Sequence, residues 1–256
     1  MKPWDTTANG GTGGRFKTTP WSCILNAKTT NDTRRRLILN DLIESYWRPV
    51  YCYLRRKGFD NEAAKDLSQD FFTEIVLRRN LISHADQAKG RFRTFLLVAL
   101  ERYVVSSLRY WGRRIRGGQA NTAHLDPCDL SNLDTLTSTP DPSQVFCFAW
   151  ASQLLEQVLA ELKEEYCSTQ RASHWEIFQA RVVAPIFAEA EAPSYGELLE
   201  RYPMGTESAL ANVVVTVKRR FRVILMRHLR NLTGSEVAAE DEFLDIARIL
   251  SGQAAQ

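Results

Sequence analysis

From Arg34 to Lys57 the apolar residues Leu39, Leu42, Ile43, Tyr46, Val50, Tyr53 and Leu54 recur every three to four positions, the spacing that lines one face of an α-helix. Pro49 lacks a backbone N–H and is expected to bend this helix. Gly58 suits its stop, and Asp60 is placed to cap the next helix by accepting from its free amides. That second helix runs from Asn61 to about Arg78. It buries Ala64, Leu67, Phe71 and Ile75 and leaves Asp66, Gln69, Asp70 and Glu74 to water or a partner. A third spans Arg91 to about Arg116, with Phe92, Phe95, Leu96, Ala99, Leu100, Tyr103, Val104 and Leu108 in register.

Gly117-Gly118 ends this order, and the stretch to about Pro142, rich in Asn, Asp, Ser, Thr and Pro, reads as an interdomain linker. Beyond it, Trp150 to Tyr166 carries the stripe Leu154, Leu155, Val158, Leu159 and Leu162. A further helix holds Trp175, Phe178, Val182 and Ile186. Ser194-Tyr195-Gly196-Glu197 has the form of a capping box before a short helix to Arg201. A turn at Tyr202 to Gly205 follows, and Thr206 caps a long helix through about Asn231. Short helix, glycine-containing turn and longer helix make the helix-turn-helix pattern. Gly234 closes it and Ser235 caps a last helix through Phe243, Leu244, Ile246, Ala247 and Leu250. No stretch reads as a strand, so the expected class is all-α: two small helical domains on a flexible linker, the second containing a helix-turn-helix. The divisions fall at 1–15 (a Gly- and Thr-rich tail), 16–116, 117–145 (linker), 146–232 and 233–256 (C-terminal helix).

The composition, 44% apolar and 25% charged in 256 residues, is that of an ordinary globular protein and excludes little. Cys23, Cys52, Cys128, Cys147 and Cys167 are scattered and odd in number, which reads as reduced thiols rather than a disulfide framework. His84, His124, His174 and His228 are equally dispersed, so no metal and no cofactor are expected. Met1 to Thr19 has no apolar signal core, and the apolar run Phe95 to Leu100 is far short of the roughly 20 residues a membrane span needs. A cytoplasmic protein, monomeric when free, is the expectation.

The net charge of +3 conceals where the cations sit. Arg102, Arg109, Arg113, Arg114 and Arg116 gather in the second half of the third helix, interleaved with Tyr103, Tyr110 and Trp111. Arginines neutralise phosphates, and aromatic faces stack on unpaired bases, which suits a partly melted duplex. The competing reading is a solvated basic face, with Tyr103 in the core by its register. Lys218, Arg219, Arg220, Arg222, Arg227 and Arg230 form the second set, in a stretch with no acid between Glu207 and Glu236. A helix-turn-helix would offer the start of this helix to the major groove and the basic part to backbone phosphates. Asp66 and Asp70 lie one turn apart, more simply an exposed acidic face than a catalytic pair. No catalytic signature is present, and a non-enzyme is expected.

Asp66-Leu67-Ser68-Gln69-Asp70-Phe71-Phe72 resembles the D-L-x-Q-x-x-F core of region two in sigma factors of the extracytoplasmic-function group, within the sigma-seventy class. Gly90-Arg91-Phe92-Arg93-Thr94-Phe95-Leu96 is similar to that family's entry to the promoter-melting helix. Thr19-Pro20-Trp21-Ser22 and Tyr46-Trp47-Arg48-Pro49-Val50-Tyr51 resemble the opening and first helix of one subgroup. The likeness runs from about Phe16 to Leu250 and is most specific in its first half. It implies an RNA polymerase sigma subunit whose partners are bacterial core polymerase, promoter DNA and, in some settings, an anti-sigma factor. By position, Asp66, Gln69, Asp70 and Phe72 then fall on the polymerase-binding helix. Arg102, Ser106, Arg109, Tyr110 and Arg113, with Trp111, Arg114 and Arg116 beside them, fall on the helix reading the minus-ten element. Thr206, Ser208, Asn212, Lys218, Arg219, Arg220 and Arg222 fall where a minus-thirty-five element would be read. The chain departs from the family there. Ala211, Val215 and Thr216 stand where basic residues are usual, leaving Asn212 as the clearest polar candidate.

Two other readings stand beside it: a regulator binding duplex DNA without polymerase, and a helical adaptor or anti-sigma-like partner. The acidic stretch Glu236 to Glu242 reads as part of a plain terminal helix, with folding over the basic helix as the alternative.

Overall fold

The structure, a computed structural model, describes residues 32–78, 81–86, 90–114, 141–187, 190–202 and 204–251, and of residues 32, 77, 78 and 109–114 only the backbone. The described residues are all-α. Helix α1 is Asp32–Arg56, and α2 is Asn61–Asp70, continued by a π-helical stretch Phe71–Arg78 and a 3-10 turn Leu81–His84. Helix α3 is Phe92–Arg114, α4 is Pro142–Ser168 and α5 is Ala172–Phe178, which runs on through a π-type turn Gln179–Val183 and the single turn Ala184–Phe187. Then come α6 at Tyr195–Arg201, α7 at Glu207–Thr233 and α8 at Glu236–Leu250.

The ends follow local chemistry. Asp60, Ser194, Thr206 and Ser235 each accept a hydrogen bond from the amide three residues on, and Ser194 and Glu197 complete the reciprocal box at 3.2 and 2.8 Å. Gly58 and Gly234 take the left-handed conformation (φ 95° and 78°) just past α1 and at the end of α7, where a Cβ would be strained. Helix α4 begins inside the segment assigned to the linker. Asp141 accepts from Ser143, Gln144 returns a bond to the Asp141 amide, and Pro142 takes the first helical position, where its missing donor costs nothing. Residues 1–31 and 115–140, which include the expected tail and most of the linker, lie outside the described residues.

Sequence periodicity placed one face of α1 in the core. In the structure Val50 through Arg55 are all buried, because α2 covers one side of α1 and α4 the other. Pro49 sits inside this continuous helix. Tyr46 is the hub of the contact with α4: its ring stacks on Phe146 (6.3 Å) and meets Phe92 of α3 edge-on (5.7 Å). Burial raises its phenol well above the ordinary value. Arg48 pairs with Glu156 at 2.8 Å across the same seam.

One apolar cluster therefore runs from Ile38 in α1 to Ile246 in α8 and includes Val145, Phe146, Trp150 and Leu154 of α4. Residues from both of the expected helical domains contribute to this cluster. The apolar face of α4 is shared between α1 on one side and α7 and α8 on the other. A smaller cluster of Ile177, Leu198, Tyr202, Leu210 and Val214 joins α5, α6 and the start of α7. Within it the Tyr202 hydroxyl donates to Glu176 at 2.8 Å. Gly205 (φ 88°) makes the turn before α7 possible.

Candidate nucleic-acid interface

Helix α2 turns Leu67 and Phe71 inward and leaves Asp66, Gln69 and Asp70 exposed, so these three form a polar face open to a partner. Phe72 does not belong to that face. It is only 2% exposed, stacks on Trp47 at 5.8 Å and meets Phe71 edge-on, while Phe71 packs against Tyr103. The change from α to π geometry at Phe71 widens the turn, and both phenylalanines are buried. Phe72 is thus a core residue, and its assignment to a partner-binding surface is corrected here.

On α3, Arg102 and Ser106 are exposed, and the Ser106 hydroxyl donates to the Arg102 carbonyl at 2.8 Å. With Glu101 and Val105 they line a shallow open depression. Val98, Val105 and Leu108 are exposed nearby, so the surface is cationic and apolar together. Tyr103 is half-buried, as its register required. The side chains of Arg109, Tyr110, Trp111, Arg113 and Arg114, and all of Arg116, lie outside the described residues.

Helix α7 divides its cations. Arg220 makes a two-pronged pair with Glu165 of α4 (2.8 and 2.9 Å), Arg227 and His228 both bind Glu161, and Arg230 pairs with Glu236. Burial alone would raise the Glu161 carboxyl, but the hydrogen bonds from Arg227 and His228 prevail and hold it below its ordinary value. Arg220, expected to contact DNA, is therefore occupied by Glu165. Lys218, Arg219 and Arg222 remain exposed, and Arg222 lies over the Phe243 ring of α8 at 5.3 Å. Ser208, Asn212, Val215, Arg219 and Arg222 recur at intervals of three and four, so they share one exposed face of α7. Thr206 caps the helix, its hydroxyl accepting from Ala209 at 3.2 Å. Of the valine run, Val214 is buried in the small cluster and Val215 faces out.

Sequence reasoning missed one polar cluster. Arg91 and Arg93, at the start of α3, meet Glu242 and Asp245 of α8. Arg91 reaches Glu242 at 2.6 Å, Arg93 reaches Asp245 at 3.4 Å, and Arg248 adds a bond to Asp245 at 2.9 Å. Arg93 also covers the Trp150 ring at 4.6 Å. Burial, with Arg91 adjacent, pulls the Arg93 guanidinium down to about 10, so it stays charged at neutral pH. The only sequence signals were the acids spaced one turn apart on α8 and an arginine placed among apolar residues of α3.

No group of His, Cys, Asp or Glu suited to a metal ion occurs among the described residues, and none of their helices is long and apolar enough to cross a membrane. No protein-family model, no curated protein and no solved structure matches this chain.

Proposed function

We propose that this protein is a sigma factor: a cytoplasmic subunit that docks on bacterial core RNA polymerase and directs it to promoters. The observation that carries the reading is the D-L-x-Q-x-x-F motif, whose polar members Asp66 and Gln69 stand exposed on α2, with Asp70 beside them, while its apolar members pack inward. The exposed Arg102–Val105–Ser106 surface on α3 suits DNA opened near the start site, where phosphates and unstacked bases are both presented. The outward face of α7, with Asn212 near its start and Arg219 and Arg222 further along, suits a major groove flanked by phosphates. Neither role requires a cofactor or a covalent step.

The test is transcription from bacterial genomic fragments by core polymerase with and without the protein. Discrete new transcripts that disappear on Gln69→Ala or Asp66→Lys support the reading. These exposed positions are the right probes, since Phe72→Ala would disturb folding instead. DNA binding with no effect on polymerase would favour a duplex-binding regulator. That second reading is supported by one observation, the shared core that keeps α3 and α7 in a single body.

A further inference from the structure

The opening turns of α7 carry no cation. Between Thr206 and Lys218 the sole charged residue is Glu207, and its carboxylate lies against Gly196 of α6. Asn212, Val215 and Thr216 are all exposed and fall within an arc of roughly 100° at about 3.6 residues per turn. The Asn212 carboxamide has no hydrogen-bond partner among the described residues. The Thr216 hydroxyl donates to the Asn212 carbonyl at 2.8 Å, which uses its proton and leaves a methyl group and an acceptor oxygen. Val215 is 45% exposed, and the exposed cations Lys218, Arg219 and Arg222 come only after this stretch.

In the major groove each base shows a distinct edge. Guanine offers two acceptors, which call for the paired donors of an arginine or a lysine, and cytosine offers a donor, which calls for a carboxylate. The exposed start of α7 presents neither. Adenine offers an acceptor at N7 beside a donor at N6, the complement of a carboxamide, and thymine offers a methyl group. An amide flanked by aliphatic groups is therefore matched to A·T pairs and mismatched to G·C. Asn212 and Val215 are separated by roughly 4.5 Å along the helix, against a base step of about 3.4 Å, so the two side chains address neighbouring pairs.

We infer that the start of α7 is a reader of adjacent A·T pairs that uses no arginine on a base. Asn212 makes a two-pronged contact with the major-groove edge of an adenine, and Val215 and Thr216 pack on thymine methyl groups of neighbouring pairs. Lys218, Arg219 and Arg222 hold the flanking phosphates, which fixes register without adding base preference. The inference rests on the reading of α7 as a DNA-facing helix of the initiation factor proposed above.

The experiment selects from a pool of randomised duplexes with the full chain, alone and together with bacterial core polymerase, and sequences what is retained. Asn212→Ala and Val215→Ala are run beside the wild type, with far-UV circular dichroism to check helicity; both positions are exposed on a helix, where alanine is well tolerated. The expected result is a set of adjacent A·T pairs whose selection is lost in the variants, with Asn212→Ala binding the selected duplex about tenfold more weakly. Two altered duplexes then assign the atoms. Replacing the adenine by 7-deazaadenine weakens wild-type binding about fivefold and leaves Asn212→Ala unchanged. Replacing thymine by deoxyuridine, which lacks the methyl, costs the wild type about threefold and Val215→Ala nothing more. A guanine or cytosine selected at the positions that depend on Asn212, or equal sensitivity to both altered duplexes in wild type and variants, overturns the readout. Retention of no duplex in either arm overturns it as well. Polymerase-dependent transcripts whose upstream preference is the same in wild type and both variants leave the initiation-factor reading standing and end the inference. Selection of A·T pairs by the chain alone, with polymerase neither bound nor redirected, does the reverse.

Discussion

Helices α3 and α7 look alike in composition, each a long helix gathering arginines, yet the structure uses those arginines in opposite patterns. On α3 the cation near the N-terminus, Arg93, is buried against carboxylates of α8, whereas Arg102 two turns further on is exposed and has no ion pair with a described residue. On α7 the earlier cations, Lys218, Arg219 and Arg222, face outward. Arg220, Arg227 and Arg230, on other faces or nearer the C-terminus, are tied to Glu165, Glu161 and Glu236. Counting arginines therefore overstates the charge either helix can offer to phosphates. Which arginine is available is decided by acids that lie far away in the chain.

The sharpest way to break the comparison is at its buried member. Arg93→Ala leaves Glu242 without its main partner, and removing one side of a buried pair costs about 3–5 kcal/mol, to be read as a lower urea midpoint. Phe72→Ala is expected to cost a similar amount, about 3–5 kcal/mol, as a cavity beside Trp47. If Phe72→Ala instead left stability intact and abolished partner binding, its assignment to the core would be wrong. Next come the exposed cations. Arg102→Ala or Arg219→Ala should each reduce the salt dependence of DNA affinity by about one charge, with the melting temperature within a degree or two of wild type.

Arg220→Ala is the paired control and should do the reverse. It removes a partly exposed pair with Glu165, worth about 0–1 kcal/mol, and barely changes the salt slope. An equal slope change in Arg219→Ala and Arg220→Ala would erase the distinction drawn between them. The smallest effect is in pH. The folded protein holds the Glu161 carboxyl below its ordinary value, so this contribution is complete above the unfolded carboxylate pKa of about 4.5. It is lost as the pH falls from there through the lower folded value. Acid titration of Glu161→Gln should accordingly show a shallower loss of stability below that pH than wild type.

Much of the fold was legible because it is written in short-range chemistry. Asp60, Ser194, Thr206, Gly234 and Ser235 mark helix ends within three or four residues of the groups they satisfy, and each sits where the sequence pattern placed it. The start of α4 was less legible, since Asp141-Pro142-Ser143-Gln144 has both the composition of a linker and the chemistry of a capping box. Phe72 was misplaced because positional likeness to a motif assigns a residue to a helix but does not say which way its side chain turns. The burial of Tyr51, Cys52 and Arg55 beside the expected Val50, Tyr53 and Leu54, and the Arg93–Glu242 contact, were not legible. They depend on which helices meet, and Arg93 and Asp245 are 152 positions apart.

The seam between α1 and α4 also governs how the chain reaches its folded state. Arg48 and Glu156 are 108 positions apart, and Tyr46 waits on ring partners from two later helices. Helices of this length form within about a microsecond, whereas contacts that close such long loops form late and slow the overall rate. An intermediate with α1 and α4 formed but not joined would expose Tyr46, Phe146 and Trp150 together. Those rings would then be the apolar surface that a chaperone would have to shield.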